Sequence, residues 1–181
     1  MKSVLISIQP KWCELIASGK KTVEVRKTKP KIDTPFKCYI YQTKESKKRF
    51  LDHRFNSAIN GISHHTEMGK VIGEFVCDEI KQGVLSISEY VDSVNIGSDK
   101  TCLSVDEIKA YLGMRYFETK GQHGFYGWNI SNLIIYEKPK TLSEFSSYNV
   151  KTYLENGYPM PTHEITRPPQ SWCYVEDLTA Y

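Results

Sequence analysis

The chain has 181 residues, 40% hydrophobic and 25% charged. This composition suits one self-sufficient globular domain and excludes a disordered or fibrous protein. No apolar run approaches the ~20 residues that cross a bilayer, and Met-Lys-Ser-Val-Leu-Ile-Ser is too soon interrupted for a signal peptide, so the cytoplasm is the expected location. The net charge of +3 conceals a segregation: between Lys20 and Arg54 twelve Lys and Arg stand against four acidic residues, which leaves −5 for the remainder. A basic surface aimed at an acidic partner, most often nucleic acid, and a solvated charged loop account for this equally well.

In chain order, Val4 to Ile8 reads as a strand. Pro10 suits a first helical position, and Trp12, Leu15 and Ile16 recur at helical spacing until Gly19 ends the helix. The next strand, Thr22 to Arg26, alternates: Val23 and Val25 share one face, Thr22, Glu24 and Arg26 the other. A basic, proline-bounded loop from Lys27 to Pro35 leads into Phe36 to Tyr41, a strand in which Phe36, Cys38 and Ile40 alternate with Lys37, Tyr39 and Tyr41. Residues 43–69 lose period and gather Lys44, Lys47, Lys48, Arg49, His53 and Arg54, with a short helix possible over 48–55. A strand from Lys70 runs through Cys77 to about Ile80, with Gly73 marking a bulge or a close approach. Ser86 to Val91 is open between helix and strand. Ser104 and Glu107 form a capping-box pattern for a helix whose stripe is Leu103, Ile108, Tyr111 and Leu112, ending at Gly113. Phe125 to Tyr136 is a strand broken by Gly127 and stopped by Pro139. The tail holds Pro159, Pro161, Pro168 and Pro169, and Ser171 to Val175 closes a sheet as a last strand.

The five cysteines are widely spaced without a Cys-x-x-Cys pair. They read as free thiols, and Cys38 and Cys77 as small core hydrophobes. His64 and His65 with Glu67 are too local for a metal site, so no metal and no cofactor are expected. Five or six strands with two inserted helices lack a βαβ rhythm. The expected fold is therefore α+β, a mostly antiparallel, partly closed β-barrel with short helices inserted.

Ser7-Ile8-Gln9-Pro10, Ile16 and Gly19-Lys20-Lys21-Thr22-Val23-Glu24-Val25-Arg26 resemble the signature of ASCH domains, a serine-x-x-proline entry followed by Gly-x-Lys-x-x-Glu-x-Arg. Gly19, Lys21, Glu24 and Arg26 fill the four marked positions. Tyr39-Ile40-Tyr41, Val71-Ile72-Gly73 and Trp128 occur in the order of the family's later strands, and Pro-Pro-Gln-Ser-Trp resembles its longer members. The resemblance spans roughly residues 3–138. It implies a PUA-like barrel over 1–140, including the basic loop at 43–69, with 141–181 an extension packing on the same domain. It also implies a cleft where Lys21, Glu24 and Arg26 meet to bind RNA or a modified nucleoside or nucleotide. Lys20, Lys47, Lys48, Arg49 and Arg54 are the expected nucleic-acid contacts. One branch of the family is an amidohydrolase that deacylates N4-acetylcytidine with a lysine, a threonine and a glutamate.

For Lys21, Glu24 and Arg26 the plain alternative is a surface ion-pair ladder worth ~0 to 1 kcal/mol per pair. As a cleft, Glu24 accepts from an exocyclic amine, Arg26 orients Glu24 or binds phosphate, and Lys21 adds a point charge. Alternation alone does not bring Lys21 to the face of Glu24; the glycine turn has to swing it across. A hydrolase would use Lys21 and Glu24 as its acid/base pair. The branch's threonine position is Glu24 here, and Thr22 lies ~7 Å along the strand where a nucleophile and base need ~3 Å. Binding therefore ranks ahead of an N4-acylcytidine amidohydrolase or ribonuclease, with a protein-interaction module third. Tyr41, Phe125, Tyr126 and Trp172, near strand ends, are candidates for stacking on a base, whereas Trp12 and Trp128 read as packed.

Overall fold

The computed structural model describes residues 2–44, 68–88, 92–114, 121–147 and 163–178. The chain divides into two units, one of Met1–Cys13, Lys37–Glu74 and Ile134–Tyr181, the other of Glu14–Phe36 and Phe75–Leu133. Lys47, Lys48, Arg49, Arg54, the 48–55 helix and His64 and His65 lie outside the described residues.

The first unit is built on β1 (Lys2–Ile8), buried from Ser3 onward. A strand apolar on both faces belongs in the middle of a sheet. Accordingly β1 pairs in parallel with β3 (Phe36–Gln42), Leu5 opposite Tyr39, and antiparallel with β11 (Trp172–Glu176), Leu5 opposite Cys173. With β4 (Lys70–Cys77), β8 (Ser131–Lys140), β9 (Ser146–Ser147) and β10 (His163–Glu164), the sheet order is β10-β9-β11-β1-β3-β4-β8. Its core gathers Leu5, Tyr39, Tyr41 and Val71 with Phe145, Ile165 and Val175 from the tail. Tyr39 meets Phe145 edge-on at 5.0 Å, donates its hydroxyl to Asp177 at 2.9 Å and accepts the Leu178 amide at 3.0 Å. Lys37 bridges Glu74 and Asp177 at 3.4 and 3.2 Å.

The second unit carries an antiparallel sheet of β2 (Val23–Arg26), β5 (Ile80–Ile87), β6 (Ser93–Val94) and β7 (Gly121–Asn129), in the order β2-β7-β5-β6. Glu24 stands opposite Trp128 and Arg26 opposite Tyr126, while Ile80, Gln82 and Gly83 oppose Trp128, Tyr126 and Phe125. Directly opposed residues share a face. One face is thus Val23, Val25, Leu85 and Phe125, buried. The other carries Glu24, Arg26, Tyr126, Trp128 and Gln82. Helix α1 (Pro10–Ala17) ends in this unit, followed along the chain by α2 (Ser98–Thr101) and α3 (Val105–Leu112). Both halves of the Ser104/Glu107 capping box form, and Gly113 closes α3 at φ 84°. Among the described residues no helix is long and apolar enough to cross a membrane.

The fold is α+β and mostly antiparallel, with the β1/β3 pair parallel. The described residues hold eleven strands, more than five or six, for identifiable reasons. Asp78 and Glu79 turn the chain, so β4 ends at Cys77 and β5 is a separate strand. The run from Phe125 to Tyr136 breaks at Ile130, not at Gly127. Gly127 is retained inside β7 because a Cβ there would lie 2.7 Å from Ile96 and 2.9 Å from Val23. Pro139 does not stop β8, which continues to Lys140, because β8 is the sheet's edge and an edge strand tolerates a missing N–H. Ser86 and Ile87 complete β5, and 89–91 lie outside the described residues.

Candidate functional site

The turn between α1 and β2 assembles the charged cluster. Gly19, at φ 73°, takes the left-handed conformation that glycine favours, and its amide donates to the Ile16 carbonyl at 2.9 Å. The Lys21 amide then donates to Leu15 at 2.9 Å and the Thr22 amide to Lys100 at 3.0 Å. Lys21 therefore precedes the strand, outside its alternation. Its Nζ lies 3.4 Å from Glu24 Oε2 and donates to the carbonyls of Val23 at 2.9 Å and Thr101 at 2.6 Å. The turn does swing Lys21 across.

Three acceptors around Nζ match the three protons of an ammonium. The side chain is 1% exposed. Burial pushes its pKa below the ordinary lysine range, with Glu24 opposing that shift and Arg26 reinforcing it. A neutral amine in this position would turn its lone pair toward another acceptor, so the geometry suits a strut that holds β2 to α2 better than a general base.

Glu24 is clamped from both sides. Oε2 faces Lys21, and Oε1 lies 3.0 Å from Arg26 Nη2, with the Glu24 and Arg26 side chains 8% and 6% exposed. The trio is thus a buried ion-pair chain, and the ladder of exposed pairs does not describe it. Two cations against one carboxylate leave excess positive charge on this face of the sheet.

Sequence reasoning missed one member, Tyr111. It was assigned to the buried stripe of α3, yet its half-buried hydroxyl is hydrogen-bonded to the Arg26 guanidinium and to the Lys27 backbone. Burial pushes its phenol pKa up, Arg26 opposes this, and Glu24 adds to it. The local signal was indirect: the capping box and Gly113 fix the helix, but nothing in the spacing says what its tyrosine meets. Lys27 Nζ sits 5.6 Å from the Tyr111 ring centre and donates to the Leu112 carbonyl at 3.2 Å, while Lys29 Nζ sits 5.7 Å from the Tyr126 ring centre.

The other candidates separate clearly. Lys20 is exposed beside the turn, and Thr22 is exposed. Tyr41 and Phe125 are core residues, 4% and 0% exposed, which removes them as stacking platforms. Trp172 is half-buried in the other unit, edge-on to Tyr174 at 5.4 Å. Tyr126 is half-buried on the same face as Arg26. Trp128 is fully buried, edge-on to Phe36 at 5.8 Å, and Trp12 is half-buried. Among the described residues no three His, Cys, Asp or Glu side chains converge as metal ligands. None of the five cysteines forms a disulfide, and Cys13, Cys38 and Cys77 are buried.

Comparison with known proteins agrees with this geometry. The family model of the ASCH domain matches residues 6–152. Solved structures of an ASCH protein from Zymomonas mobilis are similar in fold. One of them covers 96% of this chain and 87% of its own at 20% identity and a TM-score of 0.53. A tyrosine-to-phenylalanine mutant of that protein covers 97% and 91% at 20% identity and a TM-score of 0.53. A serine-to-alanine mutant covers 96% and 88% at 19% identity and a TM-score of 0.52. No curated protein matches the sequence. With the family model matching residues 6–152, most of its length, the chain belongs to the ASCH domain family.

Proposed function

We propose that this protein binds RNA or a modified nucleotide on the charged face of the β2/β7/β5 sheet. The supporting observation is the charge arrangement at the Arg26 end. Lys21 and Arg26 outnumber Glu24 within the buried chain, and Lys27 and Lys29 stand over the rings of Tyr111 and Tyr126 at its rim. Cations interleaved with aromatic rings suit a ligand that is both anionic and flat. In this reading Lys21 holds Glu24, Glu24 and Tyr111 orient Arg26, and Lys20, Lys27 and Lys29 receive phosphate. Lys47, Lys48, Arg49 and Arg54 add phosphate contacts from the 43–69 segment, and the cytoplasm is the setting.

Binding ranks ahead of hydrolysis because Lys21 is surrounded by acceptors. The test is to incubate wild type and Glu24→Gln with short RNAs and acylated cytidines, reading retained ligand by filter binding and products by mass spectrometry. Retained ligand without products is expected. Products that vanish in Glu24→Gln would replace this reading with the amidohydrolase or ribonuclease one.

A further inference from the structure

The register of the second sheet lines up Arg26, Tyr126 and Gln82 on three adjacent strands, facing the same way. At ~4.8 Å between strands, this row spans about 10 Å of backbone. Exposure rises along it, from the buried Arg26 guanidinium held by Glu24, through the half-buried Tyr126 ring, to the exposed Gln82 amide. Beyond Tyr126 on that face comes Gly124, exposed, where an added Cβ would meet nothing within 4 Å. Exposure therefore rises along β7, from fully buried Trp128 through half-buried Tyr126 to exposed Gly124 and Gln122. Across from Gly124 stands half-buried Val84.

This is an open shelf: a floor of Gly124 and Val84, a wall at Tyr126, an exposed amide at Gln82 and the exposed Lys29 cation beside the Tyr126 ring. The glycine does no evident work for the fold, since no neighbour occupies the space a side chain would take. Its effect is to leave the flank of Tyr126 uncovered. A primary amide carries both donors and an acceptor and so pairs with a base edge, while an aromatic ring takes any base by stacking.

We infer that this shelf is a base-reading subsite for one nucleotide of single-stranded RNA. The base lies over Gly124 against Tyr126, Gln82 hydrogen-bonds its edge, and Lys29 takes the adjoining phosphate. The inference rests on the RNA-binding reading and adds to it where base preference originates.

The test is fluorescence anisotropy of labelled oligouridine, oligocytidine and oligoadenosine with wild type, Gly124→Val and Gln82→Leu. Valine suits a strand and a Cβ at position 124 has nothing within 4 Å, so the variant should fold as wild type does, which thermal unfolding checks. Gly124→Val should weaken every RNA about tenfold, the loss of one stacked base. Gln82→Leu should compress the differences among the three RNAs while the tightest affinity falls only a few-fold. If wild type binds RNA and both variants match it in affinity and preference, the shelf is refuted while RNA binding stands. If folded wild type binds none of the three, both fall together.

Discussion

The Lys21 ammonium donates to the Thr101 carbonyl at 2.6 Å, joining positions 80 residues apart. The same nitrogen faces Glu24, so the family's signature lysine ties α2 to the strand that bears the rest of the signature. In the proposed RNA-binding reading this lysine holds Glu24 in place and does not itself meet the ligand.

Replacing Lys21 by methionine should cost about 3 kcal/mol, because it strips one partner from buried Glu24 and leaves the Val23 and Thr101 carbonyls without their donor. The double variant with Glu24→Gln should recover part of the loss, since the carboxylate no longer needs a counter-charge. Urea unfolding of the single and double variants measures both. An unchanged midpoint for Lys21→Met would show that the strut carries no load.

Arg26→Lys should weaken RNA binding about tenfold with little change in fold. A point charge cannot meet Glu24 and Tyr111 through a planar fork and still face a ligand. Tyr111→Phe, which removes only the hydroxyl, should produce a smaller loss in the same direction. Titrations at one salt concentration compare the two; equal affinities for wild type and Arg26→Lys would remove Arg26 from the interface.

Much of this was legible. Alternation at Val23 and Val25 gave the faces of β2, and Ser104, Glu107 and Gly113 gave both ends of α3. The turn swing at Gly19 was foreseen as a requirement, but its outcome depends on hydrogen bonds to Leu15 and Ile16 that no pattern encodes. Tyr111 was missed because a half-buried tyrosine on an apolar stripe looks the same whether its hydroxyl meets solvent or a guanidinium. Gly127 and Pro139 misled for a shared reason: local breakers were overruled by tertiary position, close packing against Ile96 in one case and a sheet edge in the other.

Ser104→Ala should destabilise the protein by ~1 kcal/mol, the usual value of an N-cap. Glu107→Ala should lose less than that again when added to it, because each side chain satisfies one half of the same box. Additive losses in thermal unfolding would mean that the two halves act independently.

Stability should fall on the alkaline side. Burial raises the thiols of Cys77 and Cys173 from 9.0 to about 12 and about 11, and raises the phenols of Tyr39, Tyr41, Tyr111 and Tyr136 above 10.0. A group with a raised folded pKa stabilises fully below its unfolded pKa, and that contribution is lost as pH rises toward the folded value. The loss should begin near pH 9 for the thiols and near pH 10 for the phenols. Lys21, with its folded pKa lowered, works in the opposite direction: the cost of burying its charge is relieved as pH rises toward 10.5. Six groups against one predict a net decline. Tyr39→Phe should flatten the curve above pH 10, and an unaltered curve would place the titration elsewhere.

The salt dependence of RNA affinity tests the central claim most directly. With Lys20, Lys27 and Lys29 on phosphates, a plot of log affinity against log salt should fall with a slope of about −2 or steeper for a single strand. Binding that is absent at low salt, or indifferent to salt, would contradict the assignment of this charged face to RNA.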